Sequence, residues 1–533
     1  MSPATNLADL LARAAAENPG RIALVEAGAG RRMTWSELDQ EASRVAAGLS
    51  RIGLVAGHRF MIATANRVEF VAGYFGALRA GLVVVPVNPR SATGELVRMM
   101  ADSGARVVLA DRLTVTSVRA AAAGLEDALE GADETLRARA SVPRIVTVST
   151  PALPGELAYA DLVSEEPGEI SAPGDPEALG VLLYTSGTSG RPRAAMLSHR
   201  ALLANVEQAA SIEPPLLTGG DVVLGVLPLF HVYGLNAVLG QVIRQQARIV
   251  LAEGFDPEGT LDLVEAESVT VLPVAPPVFA YWRDAPELRK RLGSVRLVLS
   301  GSAPLSPELV EAFTEVAGVE VHQGYGLTEA APVVTSTRCS SRHKRGSVGA
   351  ALPGIGIRLV DDAGHPPEGE DPGEIHISGQ NLFSGYWPDG EDGPGEDGWW
   401  ATGDVGFLDA DGDLFLVDRL KELVIVSGFN VYPVEVEEVI AEIDAVAEAA
   451  VIGRPDDETG EAVVAYVRTV PGTGLTPEEL VEAVREHCAT RLARFKQPRD
   501  ITVVDDLPHT VTGKVAKGRL RATERRRNLG LLE

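Results

Sequence analysis

The chain has 533 residues with 45% hydrophobic and 23% charged side chains, a composition typical of a soluble globular protein whose length predicts two or more domains. Its 74 acidic residues against 48 basic residues give a net charge of -26, which excludes nucleic-acid binding through a basic face. The chain has only two cysteines, which excludes a disulfide framework and a Cys-based metal site. Its N-terminal segment contains acidic residues and its apolar runs are shorter than about 18 residues, which excludes a secretory signal and a membrane span. We therefore predict a cytoplasmic protein.

The first part of the chain predicts helices that alternate with strands. Apolar residues at helical spacing indicate a helix over residues 6–18, and Thr34 with Glu37 forms a capping box that begins a second helix. Residues 60–87 predict a strand, a helix and a Val-rich strand, a βαβ unit that implies a parallel sheet. Residues 121–173 are rich in Ala, Glu and Pro without clear periodicity, and we interpret them as a surface connection.

A segment rich in hydroxyls and glycines, residues 183–193, follows a short apolar run. Its two glycines allow positive φ angles, so successive backbone N–H groups can point at an anion, and its hydroxyls and Arg193 can bind phosphate oxygens. The segment lacks the spacing of a Walker loop. By itself it fits a phosphate loop and a plain solvated turn equally well. The candidate phosphate-binding residues are Thr185, Ser186, Gly187, Thr188, Ser189, Gly190 and Arg193.

Beyond this segment, strands are predicted to end in loops that can carry function. After a helix over residues 198–210, strands are predicted at residues 221–228, 247–251, 269–274 and 297–300. His231 follows the first of these strands, between Phe230 and a Tyr-Gly turn, a position where a side chain can line a cavity. A packed or solvated histidine is the alternative. The loops after the last two strands resemble ligand-facing loops at the edge of a sheet.

Residues 323–329 combine three features of a nucleotide site. Their glycines permit close approach of the backbone, Tyr325 offers a face on which a base can stack, and Glu329 offers a carboxylate for Mg²⁺. Further along, Asp404 can accept hydrogen bonds from both hydroxyls of a ribose. In isolation, each of these pieces also fits a glycine-rich turn.

In this order, these segments resemble the motifs of the adenylate-forming superfamily, which includes acyl-CoA synthetases, firefly-type luciferases and the adenylation domains of peptide synthetases. The resemblance covers about residues 34–520. It implies an α/β fold, with a large N-terminal domain of layered sheets and helices and a small, mobile α+β C-terminal domain. We expect these domains at residues 1–417 and 422–533, with a hinge at residues 418–421. The sequence of the small domain predicts a helix, two strands, a second helix and a third strand, in that order.

The resemblance also implies roles for individual residues. Lys514, on a Gly-bearing loop, matches the catalytic lysine, Lys421 matches the hinge residue, and His231 is expected beside the carboxylate that is activated. Thr185 and Glu329 are expected to hold Mg²⁺. The other residues expected at the nucleotide are Ser302, Ala303, Pro304, Tyr325 and Gly326, with Thr328 at the α-phosphate and Asp404 and Arg419 at the ribose.

Two departures from the family pattern and one glycine bear on the details of the site. The family usually has Lys and Gly where Arg193 and Ala194 stand, and the sequence leaves the effect of these replacements open. Gly428 lies just past the predicted hinge. A residue without Cβ there either leaves room for the pantetheine chain of coenzyme A or serves only a turn.

The implied reaction is the activation of a carboxylic acid to acyl-AMP and then to acyl-CoA, with ATP, Mg²⁺ and coenzyme A. Residues 427–433 and Phe230-His231 look most like those of bacterial fatty-acyl-CoA synthetases, so we predict a medium- or long-chain fatty acid. The absence of Asp after Phe230 argues against an amino acid.

Other functions stay open at this point. The same motifs occur in fatty-acyl-AMP ligases that load a carrier protein and in aryl- or short-chain-acid CoA ligases. Luciferase-like oxygenation is a further alternative, which light emission would reveal. A non-catalytic binding protein would be expected to have lost Lys514 or Glu329, and both are present. The sequence does not decide chain length, a homodimer, or transient membrane contact for the substrate.

Overall fold

The computed structural model describes residues 4–164, 166, 172–186, 192–302, 305, 307–361, 364–367, 373–419, 424–431, 433–470, 472–508, 515, 517, 520, 521 and 524. The chain divides into two compact units. The larger consists of Met1–Tyr184, Ala194–Val274 and Trp282–Asp418, and the smaller consists of Thr185–Arg193, Ala275–Tyr281 and Arg419–Glu533.

The described strands follow one another along the whole chain. In chain order they are β1 (Ile22–Glu26), β2 (Arg31–Thr34), β3 (Arg59–Ala63), β4 (Val83–Pro86), β5 (Ala105–Ala110), β6 (Arg144–Thr147), β7 (Leu157–Ala158), β8 (Leu179–Ser186), β9 (Pro192–Ser198), β10 (Val222–Gly225), β11 (Arg248–Leu251), β12 (Val271–Val274), β13 (Leu297–Ser300), β14 (Val321–Gln323), β15 (Thr335–Ser336), β16 (Ala350–Ala351), β17 (Gly356–Val360), β18 (Gly373–Ser378), β19 (Trp399–Leu408), β20 (Leu414–Arg419), β21 (Val424–Val426), β22 (Phe429–Val431), β23 (Val446–Asp456), β24 (Gly460–Thr469) and β25 (Asp500–Val504).

The described helices lie mostly between these strands. The α-helices are α1 (Ala8–Glu17), α2 (Trp35–Arg51), α3 (Val68–Arg79), α4 (Thr93–Ser103), α5 (Val115–Ala123), α6 (Leu125–Ala128), α7 (Glu134–Arg139), α8 (Tyr159–Leu162), α9 (His199–Ala210), α10 (Gln241–Gln245), α11 (Pro257–Glu267), α12 (Pro277–Trp282), α13 (Leu288–Arg291), α14 (Pro307–Ala317), α15 (Pro433–Ala441) and α16 (Pro477–Arg491). A π-helix spans Tyr233–Gly240, and 3₁₀ helices span Thr328–Ala330 and Arg494–Lys496. None of the described helices is both long enough and apolar enough to span a bilayer.

The predicted elements near the N-terminus are present. The α1 helix covers most of residues 6–18, and α2 begins at the predicted capping box. The Thr34 hydroxyl accepts the Glu37 N–H at 3.2 Å, and Glu37 Oε2 accepts the Thr34 N–H at 2.8 Å. The strands β3 and β4, which precede and follow α3 in the chain, pair in parallel, as the βαβ prediction requires. Every residue of α3 is buried, because this helix packs inside the unit rather than on its surface.

Two seven-stranded sheets, both largely parallel, dominate the larger unit. One has the order β14-β13-β12-β10-β11-β1-β2, and the other has the order β7-β6-β5-β3-β4-β8-β9. In the first sheet only the pairing of β1 with β2 is antiparallel. Parallel strands of this kind are apolar on both faces, and the core strand β4 (Val-Val-Val-Pro) is buried throughout.

The interpretation of residues 121–173 as a surface connection is wrong. This region contains β6, which pairs in parallel with β5, and β7, which extends the same sheet. Ile145 and Val146 in β6 are buried. The strand is only four residues long, so its alternation was too short to stand out against the surrounding Ala- and Pro-rich sequence.

The remaining sheets are antiparallel in most of their pairings. In the larger unit, β17, β18, β19 and β20 form a four-stranded sheet in chain order. In the smaller unit, α15, β23, β24, α16 and β25 follow in the predicted order, and the β22-β21-β24-β23 sheet gains β25 through a parallel pairing with β24. The predicted fold class, a mixed α/β chain with a large N-terminal and a small C-terminal domain, is confirmed. The hinge at residues 418–421 stays a prediction, since residues 420 and 421 lie outside the described residues.

Candidate active site

Adjacent parallel strands of the first sheet end in loops that carry several of the predicted site residues. The strands β10, β12, β13 and β14 are neighbours and run in the same direction. His231 follows β10, Ser302 follows β13 and Tyr325 follows β14. Parallel strands present their carboxyl ends at one edge, which is where α/β sheets bind ligands.

Glu329, the predicted metal ligand, has a buried side chain held by a tyrosine. It lies in the 3₁₀ helix Thr328–Ala330, which Thr328 begins. The hydroxyl of Tyr386 donates a hydrogen bond to Glu329 Oε1 at 2.5 Å. A neutral hydroxyl satisfies a carboxylate oxygen without cancelling its negative charge. Glu329 therefore offers carboxylate oxygens, the kind of ligand that Mg²⁺ prefers.

The ability of the chain to bind Mg²⁺ depends on the Glu329 carboxylate. Mg²⁺ is usually bound through one or two carboxylates together with substrate phosphates. Glu329 meets that requirement. Among the residues that the structure describes, no group of three His, Cys, Asp or Glu side chains could form an all-protein metal site.

The predicted ribose and adenine residues are joined by a hydrogen bond. The Tyr325 hydroxyl donates to Asp404 Oδ2 at 2.7 Å, across 79 residues of sequence. Tyr325 is buried, and Asp404, in β19, is partly exposed. The Asp404 N–H is in turn accepted by the Thr402 hydroxyl at 3.1 Å. The Tyr325 hydroxyl thus orients the carboxylate that is predicted at the ribose, while its ring is the one predicted at the base.

His231 and Tyr233 lie after β10 and form a surface that is here called the uncharged wall. Burial lowers the pKa of His231 to about 4, so its imidazole is neutral at pH 7. The Tyr233 N–H approaches His231 Nδ1 at 3.5 Å, which leaves the ring proton on Nε2. The Tyr233 ring lies against the backbone of Gly301, where a Cβ would come within 3.0 Å of the ring. This wall carries no charge at neutral pH.

The phosphate segment is described only at its two ends. Thr185 is buried at the end of β8, and its hydroxyl donates to the Arg193 carbonyl at 3.3 Å, while Ser186 is the last residue of β8. Ala194 is fully buried in an apolar cluster, so its methyl group packs in the core where the family usually has glycine. Gly187, Thr188, Ser189 and Gly190 lie outside the described residues.

Two backbone features mark the predicted nucleotide loops. Ser302 has a φ of +74°, a left-handed conformation that is uncommon for serine and is often found at functional sites. Gly326 has no room for a side chain, because a Cβ would lie 2.4 Å from the Pro332 carbonyl oxygen. The predicted residues Ala303, Pro304, Lys421 and Lys514 lie outside the described residues, and of Arg419 only the backbone, at the end of β20, is described.

Gly428 has a role in a turn that accounts for the glycine by itself. Ser427 and Gly428 connect β21 to β22 as a two-residue hairpin loop, and both have positive φ angles, +52° and +81°. Such loops are type I′ turns, which favour glycine at the second position. Whether Gly428 also lines a passage for coenzyme A stays a prediction.

Sequence reasoning missed Tyr386 and Tyr233 as site residues. Tyr386 contacts the predicted metal ligand, and Tyr233 borders the predicted acid site beside His231. A signal was present for Tyr386, since the Gly-Tyr-Trp triplet at residues 385–387 places two aromatic residues directly after a glycine. No local pattern connects it to Glu329, 57 residues earlier.

Comparisons with known proteins identify the family of the chain. The AMP-binding enzyme family matches residues 11–387, and the AMP-binding enzyme C-terminal domain matches residues 435–514. The 4-coumarate–CoA ligase 5 of Oryza sativa subsp. japonica is 35% identical, covering 95% of this chain and 92% of that protein. The long-chain-fatty-acid–CoA ligase of Bacillus subtilis (strain 168) is 32% identical, covering 98% and 95%. The amide bond synthetase McbA from Marinactinospora thermotolerans has a TM-score of 0.83 at 29% identity, covering 97% of this chain and 99% of that one.

The chain belongs to the AMP-binding enzyme family, which is the adenylate-forming superfamily that its motifs resemble. It is an ATP-dependent acid-activating ligase of that type, and the two relatives that span nearly its whole length are named as acid–CoA ligases. Adenylate-forming CoA ligases use ATP, Mg²⁺ and coenzyme A, the three predicted cofactors. The relatives are named for 4-coumarate and for long-chain fatty acids, so the family leaves the acid open.

Proposed function

We propose that this protein is an acid–CoA ligase that converts a medium- or long-chain fatty acid to its coenzyme A thioester through an acyl-adenylate, with release of pyrophosphate and AMP. The observation that carries the proposal is the uncharged wall after β10. His231 is neutral at pH 7, and no carboxylate follows Phe230 to hold an ammonium group. An acid with an apolar body can lie against such a wall without leaving a buried charge unpaired.

The residues proposed for the first half-reaction bind and orient the reactants. The Nε2–H of His231 can donate to the carboxylate that attacks, Tyr325 and Asp404 would bind the nucleoside, and Glu329 would hold Mg²⁺ on the phosphates. Mg²⁺ and Lys514 supply positive charge where phosphate oxygens gain negative charge. Orientation of this kind can lower the activation free energy by roughly 7 to 11 kcal/mol.

An aryl acid is the second candidate, and one contact favours it. The Tyr233 ring packed on the Gly301 backbone makes a flat aromatic surface, against which a substrate ring could stack. The 35% identical relative is named for 4-coumarate, an acid of this kind. A planar arylpropenoate and a fatty acid share an uncharged body, so both agree with the neutral wall.

The acceptor has alternatives as well. A carrier protein could take the acyl group in place of coenzyme A, and the structural relative with a TM-score of 0.83 is named as an amide bond synthetase, which points to an amine. Coenzyme A is favoured because the two sequence relatives reported above, which match 95% and 98% of this chain, are named as CoA ligases.

The deciding experiment is pyrophosphate release across a panel of acids, with and without coenzyme A. The panel holds acetate, benzoate, 4-coumarate and saturated fatty acids of 8 to 16 carbons. Each buried methylene contributes about 0.8 kcal/mol, so kcat/KM should rise with chain length to a cutoff. A preference for 4-coumarate or benzoate over every fatty acid would replace the first candidate with the second. Thioester formation only with a carrier protein, or amide formation with an amine in place of any thioester, would overturn the coenzyme A assignment.

A variant at Lys514 separates the two half-reactions. Removing one preorganised charge at a developing anion costs about 3 to 4 kcal/mol, so Lys514→Ala should slow adenylate formation at least a hundredfold. Thioester formation from supplied acyl-adenylate should stay largely intact. Equal loss of both steps would contradict a specific role in adenylation.

A further inference from the structure

Residues 379–387, here called the clamp segment, bind the backbone of Glu329 and Ala330 and the Glu329 carboxylate. The Phe383 N–H donates to the Glu329 carbonyl at 2.8 Å, and Asn381 Nδ2 donates to the Ala330 carbonyl at 2.7 Å. The third contact is the hydrogen bond from the Tyr386 hydroxyl to Glu329 Oε1 at 2.5 Å. Two of these contacts therefore fix the main chain of the 3₁₀ helix, and the third fixes the carboxylate itself.

The clamp segment is itself anchored on β9. The Ser384 N–H donates to the Met196 carbonyl at 2.9 Å, the Met196 N–H donates to the Gly385 carbonyl at 3.1 Å, and the Trp387 N–H donates to the Ala194 carbonyl at 2.8 Å. These bonds form a short antiparallel pairing opposite Ala195. Ala194 to Ser198 of β9, the clamp segment and Glu329 all belong to the larger unit, so the clamp segment joins the Glu329 loop to this strand.

The Tyr386 ring has little freedom to turn its hydroxyl away. It is 9% exposed and packs edge-on against Phe383, with ring centroids 5.0 Å apart. Gly385, just before it, has a φ of +89°, and a Cβ there would lie 2.1 Å from the Gly390 carbonyl oxygen. Only glycine fits at that position, and this tight turn directs the following tyrosine toward Glu329.

We propose that Tyr386 is a positioning residue that holds the Glu329 carboxylate in the orientation needed to bind the magnesium of MgATP. The inference rests on the proposed function, in which Glu329 is the metal ligand. A tyrosine suits this task because its hydroxyl donates one hydrogen bond and carries no charge. An arginine or lysine in its place would pair with the carboxylate and compete with the cation for it. Neighbours that orient a metal ligand in this way commonly change metal affinity 10- to 100-fold when they are removed.

The test compares metal affinity in Tyr386→Phe with that of the parent protein. Phenylalanine keeps the ring and its contact with Phe383 and removes only the hydroxyl. Binding of Mn²⁺ is measured by electron paramagnetic resonance with a saturating non-hydrolysable ATP analogue, and the Mg²⁺ dependence of pyrophosphate release is measured in parallel. Tyr386→Phe should weaken both at least about tenfold, while metal-free binding of a fluorescent AMP analogue stays unchanged.

Tyr159→Phe is the matched control. Its hydroxyl also lies in the larger unit, is buried and donates to a glutamate, Glu41 Oε1, at 3.1 Å, but it lies outside the proposed site. This variant should keep the parent metal affinity, and its melting temperature shows what loss of a buried tyrosine hydroxyl does to stability alone. If Tyr386→Phe behaves like Tyr159→Phe in metal binding, the positioning role is overturned.

Glu329→Gln distinguishes failure of the inference from failure of the proposed function. The proposal expects Glu329→Gln to lose metal binding and Tyr386→Phe to add nothing further in that background. Loss with Glu329→Gln but none with Tyr386→Phe overturns the inference and leaves the metal site standing. If Glu329→Gln binds metal like the parent, the metal assignment of the proposed function is wrong, and the role of Tyr386 is wrong with it.

Discussion

Single tyrosine hydroxyls orient two carboxylates of the proposed ATP site. Tyr386 donates to Glu329 and Tyr325 donates to Asp404, at 2.5 and 2.7 Å. In both pairs the donor is a buried hydroxyl, so the hydrogen bond restricts the rotation of the carboxylate without pairing it with a cation. At the scale of a residue, the site therefore depends on phenolic O–H groups as well as on the ionised side chains that they orient.

Tyr325→Phe should separate the two roles of this tyrosine. The ring that can stack on adenine stays, while the hydrogen bond to Asp404 is lost, and hydrogen bonds to charged groups contribute about 1.5 to 3 kcal/mol. We expect KM for ATP to rise about tenfold with little change in kcat, measured by pyrophosphate release. With 2′-deoxy-ATP the ratio of variant to parent KM should shrink, because Asp404 then has one ribose hydroxyl fewer to bind. An equal ratio for both nucleotides would contradict the link between Tyr325 and the ribose.

The turn between β21 and β22 accounts for Gly428 by backbone conformation alone, without a role in binding coenzyme A. A type I′ turn needs positive φ at both central residues, which Gly428 adopts freely and asparagine adopts at modest cost. The substitution Gly428→Leu would strain the turn and block a passage together, so its effect could not be assigned.

Gly428→Asn is the better variant, because it keeps the turn and adds a side chain. If Gly428 lines the route of coenzyme A, pyrophosphate release in a single turnover should be near normal and acyl-CoA formation should fall at least about tenfold. A turn role alone predicts that both half-reactions keep the parent rate. Rapid-quench measurement of acyl-AMP and acyl-CoA decides between these outcomes.

The hairpin loop between β19 and β20 closes around one lysine. Lys344 Nζ lies 2.7, 2.8 and 2.6 Å from carboxylate oxygens of Asp409, Asp411 and Asp413. Burial acts to lower the pKa of Lys344, but the hydrogen bonds that its ammonium group donates to the three aspartates raise that pKa above its usual value. Asp413 is fully buried and also accepts a hydrogen bond from the Ser340 hydroxyl. The ammonium group thus compensates an acidic loop in the sheet that also carries Asp404.

Lys344→Ala should lower the melting temperature by several degrees, because it leaves the buried Asp413 carboxylate without its cation, and a buried charge without a partner is strongly destabilising. Arg291→Ala is the control. Its three partners are 44 to 69% exposed, so its loss should change the melting temperature much less. Equal effects in differential scanning calorimetry would show that burial of the partner does not decide the outcome.

The stability of the larger unit depends on pH through two histidines, the buried His199 and the partly buried His231. Burial lowers the pKa of both His199 and His231 from 6.5 to about 4. Between these values the unfolded chain binds protons that the folded chain does not, so stability falls as the pH falls from 6.5 toward 4. At pH 5 each histidine should cost about 2 kcal/mol relative to pH 7.

His199→Gln should reduce this dependence. His199 Nδ1 accepts the Leu7 N–H at 3.2 Å, and a glutamine carbonyl can accept the same bond without titrating. The loss of unfolding free energy between pH 7 and pH 5, measured by urea denaturation, should be smaller in the variant by about 2 kcal/mol. An unchanged loss would contradict the depressed pKa of His199.

Local features of this protein were predictable from the sequence alone. The capping box of α2 depends on two residues three positions apart, the β3-α3-β4 unit depends on periodicity within 30 residues, and the ordered motifs identify the family. These features are local because the contacts that form them connect residues close in the chain. The two-domain α/β class follows from the same information.

Tertiary structure decided the features that depend on contacts between distant residues. The four-residue strand β6 is a strand only because β5 lies beside it, and the Tyr386 hydroxyl reaches Glu329 across 57 residues, as Tyr325 reaches Asp404 across 79. The Lys344 ammonium group likewise meets Asp409 across 65 residues. A hydrogen bond or ion pair of this kind leaves no periodic trace in the sequence. Its partners become neighbours only when separate strands and loops pack into one unit, so the orientation of the proposed site belongs to the packed fold.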